Sequence, residues 1–314
     1  MQEKMATRDA YGQALLELGR SRNEVVVLDA DLSKSTKTAL FAKEFPLRFF
    51  NMGISEADMM GTAAGLAASG YIPFASTFGV FATGRVYDQI RNSIAYPRLN
   101  VKIGASHAGI TVGEDGASHQ ALEDIALMRV LPNMTVIVPA DGHQTSQAVQ
   151  AVCDFDGPVY LRLGRPKVPQ VISPDLPFKI GKAQLLQQGD ALTLVATGIM
   201  VSIAMEAAAL LQQEGLSAAV LNVHTIKPLD RDMLLQQAAR TGAMVTAEEH
   251  SIIGGLGGAV AELMGESYPV PVLRVGMCDT FGQSGTPDEL MQKYGLTAQN
   301  LVEHARKAVK MKKK

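Results

Sequence analysis

Short apolar runs of strand length alternate with helix-length segments, and the alternation occurs twice, on either side of a proline-rich break. The apolar runs begin with VVVL at 25–28 and continue through RFFNMG, YIPFAS, LNVKIGA, MTVIVPA and PVYLRLG. Between them lie segments of helical period. Residues 7–18 put Ala10, Ala14, Leu15 and Leu18 on one face behind a possible cap at Thr7. Residues 54–70 are rich in Ala and Gly, so another backbone can approach them closely. Residues 78–96, 121–132 and 141–155 complete the helical set, and SKSTKT reads as a loop. Strands alternating with helices specify βαβ units and a mostly parallel sheet, with right-handed crossovers placing helices on both faces.

The break, RPKVPQVISPDLPF, carries four prolines and little periodicity. Beyond it ALTLVAT, SAAVLNV, AMVTAEE and PVLRVGM alternate with helices near 202–213, 231–240, 257–266, 288–294 and 297–307. The expected fold class is therefore α/β, as two three-layer domains with mostly parallel sheets. The division is 1–165, a linker at 166–180, and 181–314. The chain's 314 residues suit two domains at about 150 each. No residue-level repeat relates the halves.

With a net charge of −2, nothing in the composition suggests a nucleic-acid surface. No apolar run approaches the ~18 residues of a membrane span, and the N-terminus MQEKMATRDA lacks the apolar core of a signal peptide. The KMKKK tail at 310–314 reads as a frayed terminus. Cys153 and Cys278 lie far apart without metal spacing and read as reduced, buried thiols of a cytoplasmic protein. GGLGGAV, beginning at Gly254, is separated from its strand by EEHSI, so it reads as a turn and a close-packed helix start rather than a nucleotide loop. Walker, CxxC, HExxH and GxSxG patterns are absent.

Chemistry concentrates in SHAGITVGEDGASHQ, which follows the LNVKIGA strand. It holds His107, His119, Glu114, Asp115 and three glycines. In open α/β sheets, loops at the carboxyl ends of strands are where ligands bind. Glu56 follows RFFNMG at a helix start, where a dipole favours negative charge. Phe78 and Phe81 stand three apart among Gly, Ser and Thr. They read either as core or as a grip on a flat ring.

Together, LDADLSKS, ISEADMMGTAAGLAASG, STFGVF and GEDGASHQ occur in the order and at the spacing of the pyrimidine-binding domain of transketolases, and the later half resembles the transketolase C-terminal domain. The resemblance covers nearly the whole chain. It lacks one part: a GDG motif and the upstream domain that holds the cofactor's diphosphate through a metal. The chain thus resembles the C-terminal subunit of a split transketolase. The resemblance implies thiamine diphosphate as cofactor, with a divalent metal (Mg or Ca) bound mainly by the partner. It also implies a separate N-terminal subunit and an α2β2 heterotetramer in carbohydrate metabolism of the pentose phosphate type.

By the same resemblance, Glu56 contacts the pyrimidine ring nitrogen, Phe78 and Phe81 pack on that ring, and Asp31 lies near the thiazolium. The cofactor supplies the electron sink; the protein supplies orientation and proton placement. His107 and His119 would contact sugar oxygens and shuttle protons. Asp115 would read a hydroxyl, and Arg8, Ser35 and Arg165 would hold a sugar phosphate, with Arg162 an alternative to Arg165. Arg85, Asp88 and Gln89 read as structural. The implied reaction transfers a two-carbon ketol unit from a ketose phosphate to an aldose phosphate. Deoxyxylulose-phosphate synthase shares a GxDGxxH run, but His107 favours a hydroxyl-bearing donor. The 2-oxo acid dehydrogenase beta subunit is more remote. A specialised sugar transketolase subunit or a non-catalytic regulatory relative are the other readings.

Overall fold

The computed structural model describes residues 3–312. Lys313 and Lys314 of the expected frayed tail, and Met1 and Gln2 of the N-terminal reading, lie outside them; Lys310 closes the helix Ala298–Lys310. In chain order the strands of the first half are β1 (Lys4–Ala6), β2 (Val25–Asp29), β3 (Phe49–Asn51), β4 (Ile72–Phe78), β5 (Lys102–Ser106), β6 (Thr135–Ile137), β7 (Val159–Arg162) and β8 (Lys167–Pro169). Those of the second half are β9 (Gln184–Gln187), β10 (Leu192–Ala196), β11 (Ala218–Asn222), β12 (Thr225–Lys227), β13 (Met244–Ser251) and β14 (Val272–Met277).

Strands β2, β4 and β5 are buried along their whole length. This is the expected condition of central parallel strands covered on both faces. The first sheet has the order β12-β6-β7-β5-β4-β2-β3, and all its pairings are parallel except β12 with β6. The second sheet runs β14-β13-β10-β11-β9, parallel except for β9. The architecture is α/β throughout.

Two features depart from the sequence reading. Strand β12 belongs to the second half by sequence but completes the first sheet. One apolar cluster accordingly runs from Leu28 and Ile103 to Val223, Leu234 and Leu256. The proline-rich stretch is also not wholly irregular, because β8 pairs antiparallel with β1, Lys4 opposite Pro169. Smaller corrections follow from local chemistry. SKSTKT is not a loop: it forms the short helix Ser33–Thr36 and leads into another, Ala39–Glu44. Thr7 is the first helical residue rather than the cap, and its hydroxyl accepts from the Gly164 amide at 2.8 Å. The single helix expected over 78–96 is broken into Gly79–Thr83 and a wide π-type turn, Gln89–Ala95. Cys153 is buried as expected, whereas Cys278 is exposed.

Candidate active site

Four adjacent parallel strands, β3, β2, β4 and β5, deliver residues to one edge of the first sheet from their carboxyl ends. After β2, buried Asp29 organises the chain. Its carboxylate accepts from the Leu32 amide at 2.6 Å and from the Thr36 and Thr38 hydroxyls at 2.6 and 2.8 Å. This fixes the turn carrying Asp31, whose φ of 61° is left-handed, and the following Ser35. Asp31 exchanges hydrogen bonds with Asn51 at the end of β3: its amide donates at 3.2 Å and its carboxylate accepts at 3.1 Å.

Glu56 opens the helix Glu56–Ala68, and its side chain is 4% exposed. It is paired, since Arg85 donates to Oε1 at 2.8 Å, and that arginine is 49% exposed. The Arg85 guanidinium also lies 4.2 Å from the centroid of Phe81, a cation–π placement. The structure gives Arg85, read as structural, its partners: it pairs with the carboxylate and covers the ring singled out as functional. Its spacing from Phe81, four residues, was the available signal.

Phe78 and Phe81 are nearly parallel, 14° between planes with centroids 6.0 Å apart. Phe78 carries His107 stacked at 3.8 Å, and His119 meets Phe81 edge-on at 5.4 Å. His107 has a φ of 55°. Its Nε2 lies 3.1 Å from the Arg8 guanidinium and its Nδ1 2.9 Å from the Ser106 hydroxyl. Arginine only donates, so Nε2 must accept, and the ring proton sits on Nδ1, facing Ser106. Burial, followed by the charges of Arg8 and Arg165, lowers the His107 pKa to about 3. A neutral ring agrees with an Nε2 that accepts from Arg8.

Arg8 also donates to the Ser35 carbonyl at 3.1 Å. Arg165 donates to the Val112 carbonyl and to Glu114 at 3.2 Å, and lies 3.9 Å from Asp115. Arg8 touches His107, and the charges of Arg165 and Lys37 also act on that imidazole. Lys37 was missed because it sits in a stretch read as loop; there it pairs with Asp9 at 3.1 Å. Arg162 does not join this group. It is buried against Asp124 at 2.7 Å and also donates to two backbone carbonyls. An unbroken series of contacts therefore runs from Arg8 through His107, Phe78, Phe81 and Arg85 to Glu56. Among the described residues, no group of three or more His, Cys, Asp or Glu is placed to hold a metal ion. No helix among them is long and apolar enough to cross a membrane.

The sheet order and this edge define a two-domain α/β chain with an aromatic-walled face, lined by paired charges, at its strand ends. Residues 3–170 match the transketolase pyrimidine-binding domain, and residues 181–301 match the transketolase C-terminal domain. A solved chain described as a split gene transketolase, inactive beta4 tetramer, superposes with a TM-score of 0.93 at 58% identity, covering 98% of this chain and 100% of that one. A transketolase C-terminal section from Methanocaldococcus jannaschii is 48% identical over 96% of each chain. A 6-deoxy-6-sulfo-D-fructose transketolase subunit from Clostridium sp. (strain MSTE9) is 46% identical over 97% of this chain and 95% of its own length. The chain belongs to the transketolase family and corresponds to the C-terminal subunit of a split transketolase.

Proposed function

We propose that this chain, with a separate N-terminal subunit, transfers a two-carbon ketol unit from a ketose phosphate to an aldose phosphate in an α2β2 assembly using thiamine diphosphate. The observation that carries the reading is the Glu56 carboxylate, enclosed by protein yet paired to an arginine that is half open to solvent. Such a partner can be exchanged for a ring nitrogen without moving the backbone. The residues fit the pyrimidine half of the cofactor: a carboxyl to share a proton with the ring, and the aromatic wall of Phe78 and Phe81 to exclude water. When bound, the cofactor would supply the nucleophilic carbon and the electron sink. The partner would hold the diphosphate and the divalent metal.

In this reading Glu56 places a proton on the ring and Asp31 offsets positive charge nearby. His107, exchanging Arg8 or Ser106 for substrate, would accept from a sugar hydroxyl at Nε2 or donate to a sugar oxygen from Nδ1, and His119 moves protons. Asp115 reads a hydroxyl, discriminating strongly because its absence leaves polar groups unpaired. Arg8, Ser35 and Arg165, with Lys37 beside them, hold the anionic end of the sugar. A specialised donor is a second reading. The sulfo-sugar relative favours it, and a guanidinium pair can donate to sulfonate oxygens as it does to those of a phosphate.

The test is purification of the tagged chain from its native cells with bound thiamine diphosphate quantified, followed by Glu56→Gln in that complex. We expect a second polypeptide, near-stoichiometric cofactor, and a loss of ketol transfer of about 10²–10⁴-fold on substitution. Wild-type turnover in the variant would remove Glu56 from the chemistry. A complex with cofactor but no ketol transfer from any sugar phosphate or sulfonate would overturn the reading.

A further inference from the structure

The sugar-facing loop is held by the opposite half of the chain. Glu249, on β13, is buried. Its Oε1 accepts from the amide of Thr111 at 2.6 Å. Two residues earlier, Gly109 has a φ of +89°, and a Cβ there would come 2.3 Å from the Glu249 carboxyl. The loop backbone is thus pressed against this side chain as closely as a glycine allows. Glu249 is itself fixed from below. Arg162 donates to its carbonyl at 2.9 Å and to that of Ala121 at 3.1 Å. The Ser251 amide donates to Leu122 at 2.8 Å, and Gly109 to Ala121 at 3.0 Å. Burial pushes the Glu249 carboxyl upward, and the Arg162 charge opposes it.

A second attachment faces the other end of the loop. The Gln120 amide nitrogen bridges the carbonyls of Ile110 and Gly113 within the loop to that of Gln283 in the C-terminal half. Everything between these attachments, including Asp115 and His119, is carried on a segment whose two ends the C-terminal half anchors. Beneath it lies a cavity of about 30 Å³ lined by Thr111, Arg162 and Glu249, large enough for a water molecule.

We propose that Glu249 is a positioning residue of the sugar site: the reach of its carboxyl oxygen to the Thr111 amide sets where Asp115 and His119 stand. This rests on the ketol-transfer reading and extends it to the C-terminal half. Two conservative variants separate reach from charge. Glu249→Asp keeps the charge beside Arg162 but withdraws the acceptor from Thr111. Glu249→Gln keeps the acceptor and loses the charge.

Two readouts apply to each variant. The first is hydrogen exchange over 107–122 in the full chain, which needs no turnover. The second is steady-state kinetics of the complex purified from native cells, with cofactor affinity as control. Glu249→Asp should speed exchange at Thr111 and raise KM for the donor sugar about tenfold, the worth of one hydrogen bond to a charged group. Its kcat and cofactor affinity should change little, and Glu249→Gln should stay near wild type in both readouts. The reverse order, with Gln worse than Asp, or unchanged exchange and KM in Glu249→Asp, would overturn the proposal. If the wild-type complex shows no ketol transfer, the functional reading fails, and the exchange data alone still decide whether Glu249 positions the loop.

Discussion

Two arginine–carboxylate pairs stand in different regions of this molecule and are built in opposite ways. Under the loop, Arg162 and Asp124 are 5% and 0% exposed. Asp124 Oδ2 also accepts from the Tyr160 hydroxyl at 2.6 Å, and Arg162 makes a second bond to Oδ1 at 3.1 Å. Burial raises the Asp124 pKa, yet the Arg162 charge and hydrogen bonds outweigh it and hold the carboxyl below its usual range. On the open edge, Glu56 is as enclosed as Asp124, but Arg85 is half exposed. The difference lies in the arginine. Where both partners are sealed, the pair can only be a frame. Where one partner stands in water, the carboxylate has a replaceable companion.

The largest effect should come from breaking the sealed pair. Asp124→Ala strips a buried guanidinium of its hydrogen-bonded carboxylate, and we expect a loss of about 3–5 kcal/mol in unfolding free energy by urea titration. It should also loosen the site, since Arg162 ties β7 to the backbone at Ala121 and Glu249. A loss below about 1 kcal/mol would mean that the pair is not the frame we describe.

Sealed groups should also set the response to acid. Burial lowers His224 and His250 to about 4 and His107 to about 3, from 6.5. Between pH 6.5 and 4 the unfolded chain therefore binds more protons at these rings than the folded chain does, so their effect is a loss of stability as pH falls through that window. Glu248 works the other way. Burial raises it to about 7, so the folded chain holds the extra proton between about 4.5 and 7 and loses that stabilisation as pH rises. His224, tilted against Phe178 with centroids 4.2 Å apart, isolates the first effect. His224→Gln should reduce the stability lost between pH 7 and 4 by on the order of 2–3 kcal/mol. Parallel losses in variant and wild type would show that this ring does not contribute.

Arg165 tests whether the open edge binds anions at all. Arg165→Met should raise KM for a sugar phosphate by about tenfold, because a charge-assisted bond is lost. Its thermal midpoint should barely move, as Arg165 is partly solvated and its acidic neighbours are exposed. Arg162→Met should do the reverse, unfolding the chain rather than selectively weakening substrate. Indistinguishable behaviour of the two variants would dissolve the distinction between frame and edge.

Much of this was legible in the chain. The apolar runs placed β2, β4, β5 and β7, and the motifs brought Glu56, the two phenylalanines and the two histidines to one edge. The sequence left Arg162 and Arg165 as alternatives. The fold separates them because β7 ends at Arg162, whose side chain stays under the sheet edge, while Arg165 lies beyond the strand. What stayed hidden depended on long-range pairing. Strand β12 is three residues long, and nothing local in Thr-Ile-Lys says that it will complete the sheet of the other half. Lys167–Pro169 reads as linker because its partner, β1, lies more than 150 residues away. Arg85 was visible in position but its partner was not, since the carboxylate comes from a distant helix start, Glu56.

The smallest effect, and the sharpest discriminator, is Arg85→Met. Loss of a partner from an enclosed carboxylate would ordinarily be costly. Here water reaches the position Arg85 occupies, and Glu56 sits at a helix N-terminus, where the dipole supports its charge. The Met side chain retains an apolar contact with Phe81. We therefore expect a change in unfolding free energy within about 1 kcal/mol, read by urea titration of the chain alone. A loss near that expected for Asp124→Ala would mean that the Glu56 carboxylate depends on Arg85 as Arg162 depends on Asp124. The open pair would then be a second frame, and an incoming ring could not replace its arginine without unfolding the helix start.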